Sequence, residues 1–561
     1  MASLLESKER DFRVVAYKRA AVALETFQDD VGKVYLEKGI AGLEEIPTIG
    51  KGLALKIEEY IKHGKIKEYE QLKKKMPINL DELTSIEGMG PRKAKLLYQK
   101  LKIKNLKDLE KSAKDHKIAP LFGFGEQTEK NILQGIEFVK KNKGRVLLGF
   151  IMPTVKEIIS SLEKLPEVKK ISVAGSVRRR KETIGDVDIL VASAKPEKIM
   201  DFFVKIPGIE KIWAKGDTKS SVHLRQGFDV DLRIVEEKCF GSALQYFTGS
   251  KEHNIETRKI AIEKGLKLSE YGLFRGEKSI AGKTEKEVYE ALGMSYIEPE
   301  MREDEGEIQL ALQNKLPKLV ELKDIKGDLH CHSNWAVKDG SSIEEIADHA
   351  ISLGYEYIGI SDHTKFLRIE NGLDEKQLLK ENEYIKKINE KYKEKNFRIL
   401  HGCETNILPD GSVDIKDEVL EKLDYVIAGV HSSMKMERKE MTERIIKAMQ
   451  NKNIDIISHP TGRLIGKRDE FQMDIEKIFK TAKETGTILE INAYPERADL
   501  KDIYIKMAKE IGVKMIINTD AHEKTQMNLM EYGVFQAQRG WAEKHDIINT
   551  LSAEELLKKL K

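Results

Sequence analysis

The chain has 561 residues, 40% of them hydrophobic, so it is long enough for several domains with buried cores. Its formal net charge at pH 7 is only +3, and overall charge alone therefore predicts no nucleic-acid partner. No apolar run reaches the roughly 18–20 residues that a membrane helix needs, and the first residues lack the apolar core of a signal peptide. The three cysteines are scattered and form no disulfide framework. We expect a cytoplasmic protein with no membrane partner.

Three glycine turns occur in the first 140 or so residues, and a helical pattern follows each. They contain Ile49-Gly50, Gly88-Met89-Gly90 and Gly123-Phe124-Gly125. Such a turn brings the backbone N–H groups of the next helix close to a phosphate, which contacts DNA without reading its sequence. Two ordinary helices joined at glycine explain one copy equally well, but three copies with basic side chains favour DNA binding. The candidate contacts are Gly50, Gly88, Gly90, Arg92 and Lys93.

Between about residues 145 and 240 the pattern changes to strands, which we predict over 168–174, 187–192 and 228–235. Asp186 and Asp188 are one residue apart, so a strand places both on one face. Asp231 lies in another predicted strand. Three converging carboxylates are able to hold two hard cations, an arrangement suited to phosphoryl transfer. A lone Asp-x-Asp is usually a surface feature, but here Gly175-Ser176 and two arginines precede it.

From Lys326 onward, strand and helix patterns alternate about seven times, which predicts a parallel sheet closed into a barrel. Metal-ligand side chains follow most of these strands: His330, His332, Asp339, His363, Glu404, His431, His459, Asp520 and His522. The carboxyl ends of barrel strands converge on one face. Any one histidine is more often structural, but the set repeats at successive strand ends. Mixed nitrogen and oxygen ligands suit Zn, Mn or Fe better than Mg.

Five segments occur in order between residues 175 and 250: Gly175-Ser176, Arg178-Arg179, Gly185-Asp186-Val187-Asp188, Asp231-Leu232-Arg233 and Tyr246–Ser250. Together they resemble the family X DNA polymerases typified by DNA polymerase beta, and the resemblance covers about residues 1–297. The resemblance implies a nucleotidyltransferase palm in which Asp186, Asp188 and Asp231 hold two Mg²⁺ ions. It implies that Ser176, Arg179 and Gly185 contact the incoming triphosphate. It also implies that Tyr246 and Gly249 border the sugar, with Asn254 and Arg258 at the minor groove.

Lys56 matches the lyase nucleophile of the animal enzyme in the same family. The resemblance implies a Schiff base with the sugar aldehyde that remains after base loss. Such a lysine needs a depressed pKa, which we expect nearby basic residues to provide. A solvated helix lysine is the alternative, and Gly52 stands where the family has a phosphate-pocket lysine.

The barrel motifs resemble the PHP (polymerase and histidinol phosphatase) family over about residues 325–561. They are Asp-Leu-His330-Cys-His332, Ser-Asp-His363, Gly-Cys-Glu404, Val-His431, Ser-His459-Pro and Thr-Asp520-Ala-His522. The spacing from His332 to Asp339 is longer than in the family. The resemblance implies up to three Mn²⁺ or Zn²⁺ ions.

We therefore predict a multidomain fold of helix-hairpin-helix domains, an α+β nucleotidyltransferase palm with a thumb, and a C-terminal α/β PHP barrel of the (β/α)7 type. The expected divisions are 1–80 and 81–143 for helical domains, 144–235 for the palm, 236–300 for the thumb, 301–325 for a linker and 326–561 for the barrel. The order of domains resembles that of bacterial and archaeal family X polymerases.

This resemblance implies a monomer that fills short gaps in gapped or primed DNA with dNTPs during base excision repair. It also implies a 3′–5′ exonuclease with abasic-site endonuclease activity. We expect the two metal sites to be independent of each other. Two alternatives stay open: a barrel that hydrolyses small phosphoesters, and a DNA-binding scaffold with a structural metal barrel.

Overall fold

The structure is a computed structural model of the chain. It describes residues 13–26, 31–46, 48–75, 77–84, 86, 89–141, 144–338, 340–367 and 371–560. The chain divides into two compact units, Met1–Lys143 with Arg463–Glu470 and Gly144–Gly462 with Phe471–Lys561. Among the described residues, no helix combines the length and the apolar character needed to span a membrane.

The described residues of the first unit form short helices. They are α1 (Arg13–Thr26), α2 (Val31–Glu44), α3 (Lys51–His63), α4 (Lys67–Lys75), α5 (Leu80–Thr84), α6 (Pro91–Leu101), α7 (Leu106–Lys114) and α8 (Glu126–Lys141). One apolar cluster, with Leu43 and Ala54 fully buried, joins α2 and α3. A second cluster around Leu83, Leu97 and Leu109 holds α5 to α8 together. Apolar contacts between amphipathic faces therefore fix the glycine turns between these helices.

The second unit begins with a palm of strands and helices. Its elements are β1 (Val146–Leu147), α9 (Leu148–Glu163), β2 (Lys170–Val173), α10 (Gly175–Arg178), β3 (Thr183–Ile184), β4 (Asp186–Ala192), α11 (Pro196–Phe203), β5 (Ile209–Lys215), β6 (Lys219–Leu224) and β7 (Asp229–Val235). The main sheet has the order β2-β4-β7-β6-β5, and only β4 and β7 pair in parallel. Alternate residues such as Val187 and Val230 point into a core shared with α9 and α11. The residues between them on each strand point to the opposite face of the sheet.

A smaller α+β region follows the palm. It contains α12 (Phe240–Thr248), α13 (Lys251–Glu263), β8 (Lys267–Ser269), β9 (Gly272–Arg275), β10 (Lys278–Ala281), α14 (Glu285–Ala291) and α15 (Glu307–Leu312). Strands β8, β9 and β10 form an antiparallel meander.

The predicted linker at 301–325 requires a correction, because much of it is packed into the fold. Arg302 and Glu307 are fully buried. Met301, Ile308 and Leu319 belong to the same apolar cluster as Leu268 and other residues of the preceding region. The high charge of this stretch suggested exposure, but its charged groups pair internally and its apolar groups join the core.

The C-terminal region alternates strands and helices. The elements are β11 (Gly327–Cys331), α16 (Ile343–Ser352), β12 (Tyr357–Ile360), α17 (Glu375–Tyr392), β13 (Arg398–His401), β14 (Glu404–Asn406), α18 (Asp417–Leu420), β15 (Ile427–Gly429), α19 (Arg438–Met449), β16 (Ile456–Ile457), α20 (Ile475–Thr485), β17 (Ile488–Asn492), α21 (Asp502–Ile511), β18 (Met515–Asn518), α22 (Met530–Arg539) and α23 (Ala553–Leu557). All strand pairs are parallel.

Two bridges close these strands into a ring. The bridge between His363 and Glu404 joins the sheet β11-β12-β13 to the sheet β14-β15-β16-β17-β18, and the bridge between Cys331 and Ala521 joins the two outer edges. The predicted closed α/β barrel is confirmed. Its strands are buried on both sides, as expected for a parallel barrel covered by helices.

Helix α22 links the barrel to the palm. Its Tyr532 and Phe535 pack against the palm core, and Trp541, just beyond the helix, belongs to the core of the thumb region. At Gly149 of α9 a Cβ atom would lie only 2.4 Å from Pro495 Cγ, so the glycine allows the close approach. The palm, thumb and barrel therefore share buried surface.

Candidate functional site

The three palm carboxylates come together on one face of the main sheet. Asp186 and Asp188 lie on β4, and Asp231 lies on β7 directly opposite Asp188 in the parallel register. Ser221 on β6 donates a 2.5 Å hydrogen bond to Asp231, and Lys219 lies 2.8 Å from its other oxygen. The predicted convergence is therefore a property of the fold.

The electrostatics of this face fit a site for divalent cations. Burial first, and then the charges of Asp186 and Asp231, raise the pKa of Asp188 to about 6. Closely spaced, partly desolvated carboxylates of this kind are stabilised in their charged form by hard cations. Gly175, with a φ of 56°, leaves room at the same place, because a Cβ atom there would lie 2.5 Å from Asp188 Oδ2.

The residues predicted to contact the nucleotide lie around this face. Ser176 is in α10, the helix that follows β2. Gly185 immediately precedes β4, the strand that carries Asp186 and Asp188. Arg179 follows α10 and donates to the carbonyl oxygen of Thr248 and, over 3.1 Å, to Glu303. A Cβ atom at Gly249 would lie 3.0 Å from Arg179 Nη1, so these two predicted residues are neighbours.

The remaining three predicted residues form one hydrogen-bonded group. The Asn254 amide donates to the carbonyl of Tyr246 over 2.7 Å, and Arg258 Nε donates to the carbonyl of Asn254 over 3.0 Å. The guanidinium of Arg258 lies 5.9 Å from the Tyr246 ring centre. The side chain of Gln245 donates to Asn254 and fixes the amide orientation. The structure therefore gives these residues defined positions relative to one another.

A buried charge network beside the nucleotide residues was not predicted. Glu285 accepts from Arg178 over 2.5 Å and from Arg302 over 2.6 Å. Burial would raise the pKa of Glu285, but Arg302 and Arg178 lower it to about 2. No local sequence signal marks Glu285, since its partners lie far along the chain. The network joins α10 to the thumb region.

The barrel brings eight of the nine predicted ligands to one end, where the strands terminate. Asp339 lies outside the described residues. Among the predicted ligands, atoms within 4.8 Å of one another form three groups: His332, His363 and His522; His330, His332 and Asp520; and His363, Glu404 and His431. Glu543, His545 and Asp546 form a fourth group, which contains none of the predicted ligands. His459 Nε2 lies 3.1 Å from Glu404 Oε1 and extends the third group.

The chemistry of this cluster fits metal ions. Several buried ligand atoms lack a hydrogen bond of good geometry within the described structure, among them His330 Nε2, both ring nitrogens of His332 and Glu404 Oε2. Some of them still lie close to one another, as Glu404 Oε2 does to His363 Nδ1 at 2.8 Å. Burial and the charges of His363 and His522 lower the pKa of His332 well below its ordinary value. A neutral imidazole offers a lone pair to a cation. Leaving buried polar atoms without well-formed hydrogen bonds is costly, and bound cations would satisfy them.

Glu490 orients this cluster and was missed by the sequence analysis. It accepts from His330 Nδ1 over 2.6 Å and from the backbone N–H of His459 over 2.7 Å. The first bond turns Nε2 of His330 toward the cluster, which is how outer-layer carboxylates usually position metal-binding histidines. The signal was present in Ile488–Asn492, where polar residues alternate with apolar ones inside a buried strand.

The glycine turns of the first unit lead into helix N-termini with open surroundings. Gly50 and Gly90 have φ values of −81° and −76°, and none of the described side chains caps α3 or α6. A Cβ atom at either glycine would have no atom of the described residues within 4 Å. Lys93 lies 5.8 Å from the Phe124 ring centre, so the second and third turns are adjacent, and Arg92 is exposed. Gly88 lies outside the described residues.

The environment of Lys56 contradicts the expected pKa depression. Its ammonium lies 2.6 Å from Glu68, and this hydrogen bond is the main reason that the pKa of Lys56 is raised. Glu68 also binds Arg13 over 2.8 Å. The expectation failed because basic residues are abundant near Lys56 in sequence, whereas an acidic residue from α4 is the contact in space.

Comparisons with known proteins agree with this architecture. Models of helix-hairpin-helix domains match residues 1–66 and, as a tandem, 80–137; the DNA polymerase beta thumb model matches 243–303, and the PHP domain model matches 328–494. The DNA polymerase/3′-5′ exonuclease PolX of Bacillus subtilis (strain 168) is 38% identical over 553 residues, which cover 98% of this chain and 95% of the relative.

Shorter matches cover only part of the chain. A probable phosphatase of Thermoanaerobacter sp. (strain X514) is 38% identical over 136 residues, 22% of this chain and 52% of the relative. A probable phosphatase of Acetivibrio thermocellus is 29% identical over 207 residues, 35% of this chain and 78% of the relative. Since the polymerase relative matches almost end to end, this chain belongs to the family X DNA polymerases that carry a C-terminal PHP domain.

Proposed function

We infer that the chain is a DNA-directed DNA polymerase that also carries a metal-dependent 3′–5′ exonuclease in its PHP barrel. The observation that carries this conclusion is the near-complete match to a polymerase/exonuclease, in a fold that contains two separate clusters of metal-ligand side chains. Its substrates are DNA and dNTPs. We further propose that it acts on gapped or primed DNA in base excision repair, as a monomer in the cytoplasm.

In the palm, we propose that Asp186, Asp188 and Asp231 hold two Mg²⁺ ions. Such ions supply Lewis-acid charge to the transferred phosphoryl group. The protein residues would position the reactants: Ser176, Arg179 and the backbone of Gly185 receive the triphosphate. Tyr246 and Gly249 border the sugar, and Asn254 and Arg258 face the minor groove. The hydrogen bonds of Tyr246, Asn254 and Arg258 to one another support this last group as one preorganised surface.

In the barrel, we propose that the nine predicted residues, Asp339 included, hold up to three Mn²⁺ or Zn²⁺ ions. These ions supply the charge that polarises a phosphodiester for attack by water. The barrel residues would position the ligand atoms, and Glu490 fixes the orientation of the His330 ring through a hydrogen bond to Nδ1. We expect Mn²⁺ to support exonuclease activity better than Mg²⁺, because Mg²⁺ prefers oxygen ligands.

In the helical unit, we propose that the glycine turns contact the DNA backbone. The contacts are the N–H groups near Gly50, Gly88 and Gly90 and the side chains of Arg92 and Lys93. The uncapped helix N-termini and the open space around Gly50 and Gly90 support this. We also propose the domain divisions stated above, except that 301–325 is part of the packed fold.

A second candidate for the barrel is hydrolysis of small phosphoesters. The observation that favours it is the match of probable phosphatases to a part of this chain. Comparing release of nucleotides from DNA 3′ ends with hydrolysis of p-nitrophenyl phosphate, by the same preparation, separates the two. A purely structural barrel would perform neither reaction.

One experiment tests both activities in the same chain. We expect Asp188→Asn to lower primer extension by about a thousandfold, as loss of a metal-binding carboxylate at a reacting centre does, and to leave 3′–5′ degradation in Mn²⁺ unchanged. We expect a His363→Ala/His431→Ala double variant to do the reverse. Asp201→Asn and His545→Ala serve as controls, since these side chains are 47% and 67% exposed and lie outside the two predicted ligand sets. Normal extension by Asp188→Asn would refute the palm assignment.

We propose that Lys56 forms an imine with a 5′-deoxyribose phosphate end. Borohydride should trap a covalent adduct with the wild type and with Lys62→Ala on the same helix, but not with Lys56→Ala. Because Glu68 raises the pKa of Lys56, Glu68→Gln should increase the trapping rate at pH 7. Equal trapping by Lys56→Ala would show that another amine is the nucleophile.

A further inference from the structure

A residue of the barrel reaches the nucleotide-binding part of the palm. Arg539, at the end of α22, has a side chain that is only 3% exposed. Its Nη1 donates to the carbonyl oxygen of Arg179 over 2.9 Å and to Glu303 Oε1 over 3.0 Å. Its Nη2 donates to Asp502. The Arg539 guanidinium, from the exonuclease half, therefore contacts the backbone of Arg179, the residue proposed to bind the triphosphate.

Glu303 is shared among three cations. Arg179 Nε lies 3.1 Å from its Oε1, Arg539 Nη1 lies 3.0 Å away and Lys181 Nζ lies 3.4 Å away. Burial would raise the pKa of Glu303, but Arg179, Arg539 and Lys181 together lower it. The carboxylate is therefore charged, and it accepts a hydrogen bond from Nε of the Arg179 guanidinium.

We propose that Glu303 is an intramolecular competitor of the incoming triphosphate for Arg179, and that Arg539 is a positioning residue that makes the exchange possible. The proposal rests on the proposed contact between Arg179 and the triphosphate. In the structure Arg179 binds the Glu303 carboxylate, and in the nucleotide complex it would bind a phosphate instead. One anion replaces another on the same guanidinium.

The role of Arg539 follows from the cost of a buried charge. Without partners, a buried carboxylate is strongly destabilising. When Arg179 leaves Glu303 for the nucleotide, Arg539 and Lys181 still neutralise the carboxylate. Arg539 also holds the backbone of Arg179 through its carbonyl oxygen. Without Arg539, the Glu303 carboxylate would rely more on Arg179 for neutralisation. Arg179 would then be bound more strongly to Glu303 and be less available to the triphosphate.

Single-turnover primer extension over a range of dNTP concentrations tests this, because it separates the apparent Kd for dNTP from the maximum rate. We expect Arg539→Gln to raise this Kd by about tenfold, which corresponds to one weakened charge-assisted contact, with the maximum rate within about twofold of the wild type. Arg539→Lys should recover part of the affinity. Exonuclease activity should be unchanged in both variants, because Arg539 binds Arg179, Glu303 and Asp502 and not the described candidate ligands of the barrel.

Glu303→Gln gives a second, independent measurement. With no carboxylate to compete, the Kd for dNTP should fall about threefold below that of the wild type. In the Glu303→Gln background, Arg539→Gln should change the Kd by less than about twofold, since neighbouring groups that share one function are not additive. Lys506→Gln is the matched control. It removes another thumb–barrel ion pair, with Glu305 at 3.3 Å, and should leave the Kd unchanged.

The outcomes distinguish this proposal from a structural role and from the proposed function. A merely structural Arg539 would lower the unfolding temperature and both activities, with the Kd unchanged or raised equally in the Glu303→Gln background. Either result overturns the proposal, as does a raised Kd in Glu303→Gln alone. If Arg179→Gln leaves the Kd unchanged, the assignment of Arg179 to the triphosphate is wrong and the competition with Glu303 fails with it. If Arg179→Gln raises the Kd but the Arg539 and Glu303 variants do not behave as expected, only the competition is overturned.

Discussion

Buried carboxylates in the polymerase half are held between cationic side chains. Glu285 lies between Arg178 and Arg302, and Glu303 lies between Arg179 and Arg539. Each arrangement joins α10 or its following turn to residues more than one hundred positions away. Because one carboxylate compensates two guanidinium groups, neutralising it leaves two buried cations to be accommodated.

Glu285→Gln should therefore destabilise the polymerase half in a pH-dependent way. The pKa of Glu285 is lowered from 4.5 to about 2, since Arg302 and Arg178 outweigh burial. A carboxyl group with a lowered folded-state pKa stabilises the fold above its unfolded pKa, and this stabilisation is lost as the pH falls from about 4.5 toward 2. We expect Glu285→Gln to lower the free energy of unfolding by about 3 kcal/mol at pH 7.

Denaturant unfolding at pH 7 and at several values below 4.5 measures this effect. The difference between the wild type and Glu285→Gln should shrink as the pH falls. Glu290→Gln, on the same helix and 58% exposed, is the control and should have little effect. A difference that is constant from pH 7 to pH 3 would show that lost packing, rather than lost charge, explains the result.

Local sequence pattern indicated the candidate metal ligands but not the residues that support them. The Asp186-x-Asp188 spacing and the histidines after apolar runs are local signals, and the structure brings these residues together. Arg539 and Glu303 carry no such signal, because their significance comes from partners that only the fold brings near. The same reason explains the wrong pKa direction for Lys56, whose nearest charge comes from another helix.

At the scale of elements, α22 belongs to two parts of the molecule. It follows the last barrel strand, yet Tyr532 and Phe535 pack against the palm core. The Arg180 guanidinium lies 4.1 Å from the Phe535 ring centre, and Lys156 on α9 lies 2.9 Å from Glu531. One face of this helix therefore completes the polymerase core.

Phe535→Ala should destabilise the palm although Phe535 is in the barrel. Truncating a partly buried aromatic side chain at a packed contact should cost about 2–3 kcal/mol, and the Arg180 guanidinium would lose its aromatic partner. Hydrogen exchange should increase in β4 and α9 as well as in α22. Phe150→Ala, on α9 with 53% of the side chain exposed, is the control. Faster exchange confined to α22 would contradict a shared core.

Element types were more predictable than their boundaries and their packing. The periodicity of the C-terminal region correctly indicated a closed parallel barrel, because strands buried on both sides read as apolar runs. Strands β5 and β6 were not predicted. The exposed Lys211, Trp213 and Lys215 on β5 give it no buried apolar face that a period-two pattern would reveal. The packed stretch at 301–325 was missed because its charges pair through tertiary contacts.

At the scale of the whole molecule, two separate candidate sites coexist with a common core. The palm carboxylates lie on the β4–β7 face, and the histidine cluster lies at the ends of the barrel strands. The two sets of candidate ligands are therefore separate, and the independence of the two activities stays a prediction. This separation does not extend to folding, since Tyr532, Phe535, Arg539 and Trp541 of the C-terminal region contact the palm or thumb.

Removing the barrel should therefore damage the polymerase more than inactivating the barrel does. A chain that ends at residue 325 loses α22, exposes the palm surface under Tyr532 and Phe535, and leaves Glu303 without Arg539. We expect its unfolding temperature to fall by several degrees, on the order of the 2–4 °C expected per kcal/mol for a domain of this size, and its affinity for dNTP to weaken. The full-length His363→Ala/His431→Ala variant should keep wild-type extension, because the apolar strands still supply the barrel core. Thermal unfolding and single-turnover extension of both proteins provide the comparison. If the shortened chain matches the wild type in unfolding temperature and in dNTP affinity, the palm is self-sufficient, and the contacts of α22 contribute nothing to polymerase function.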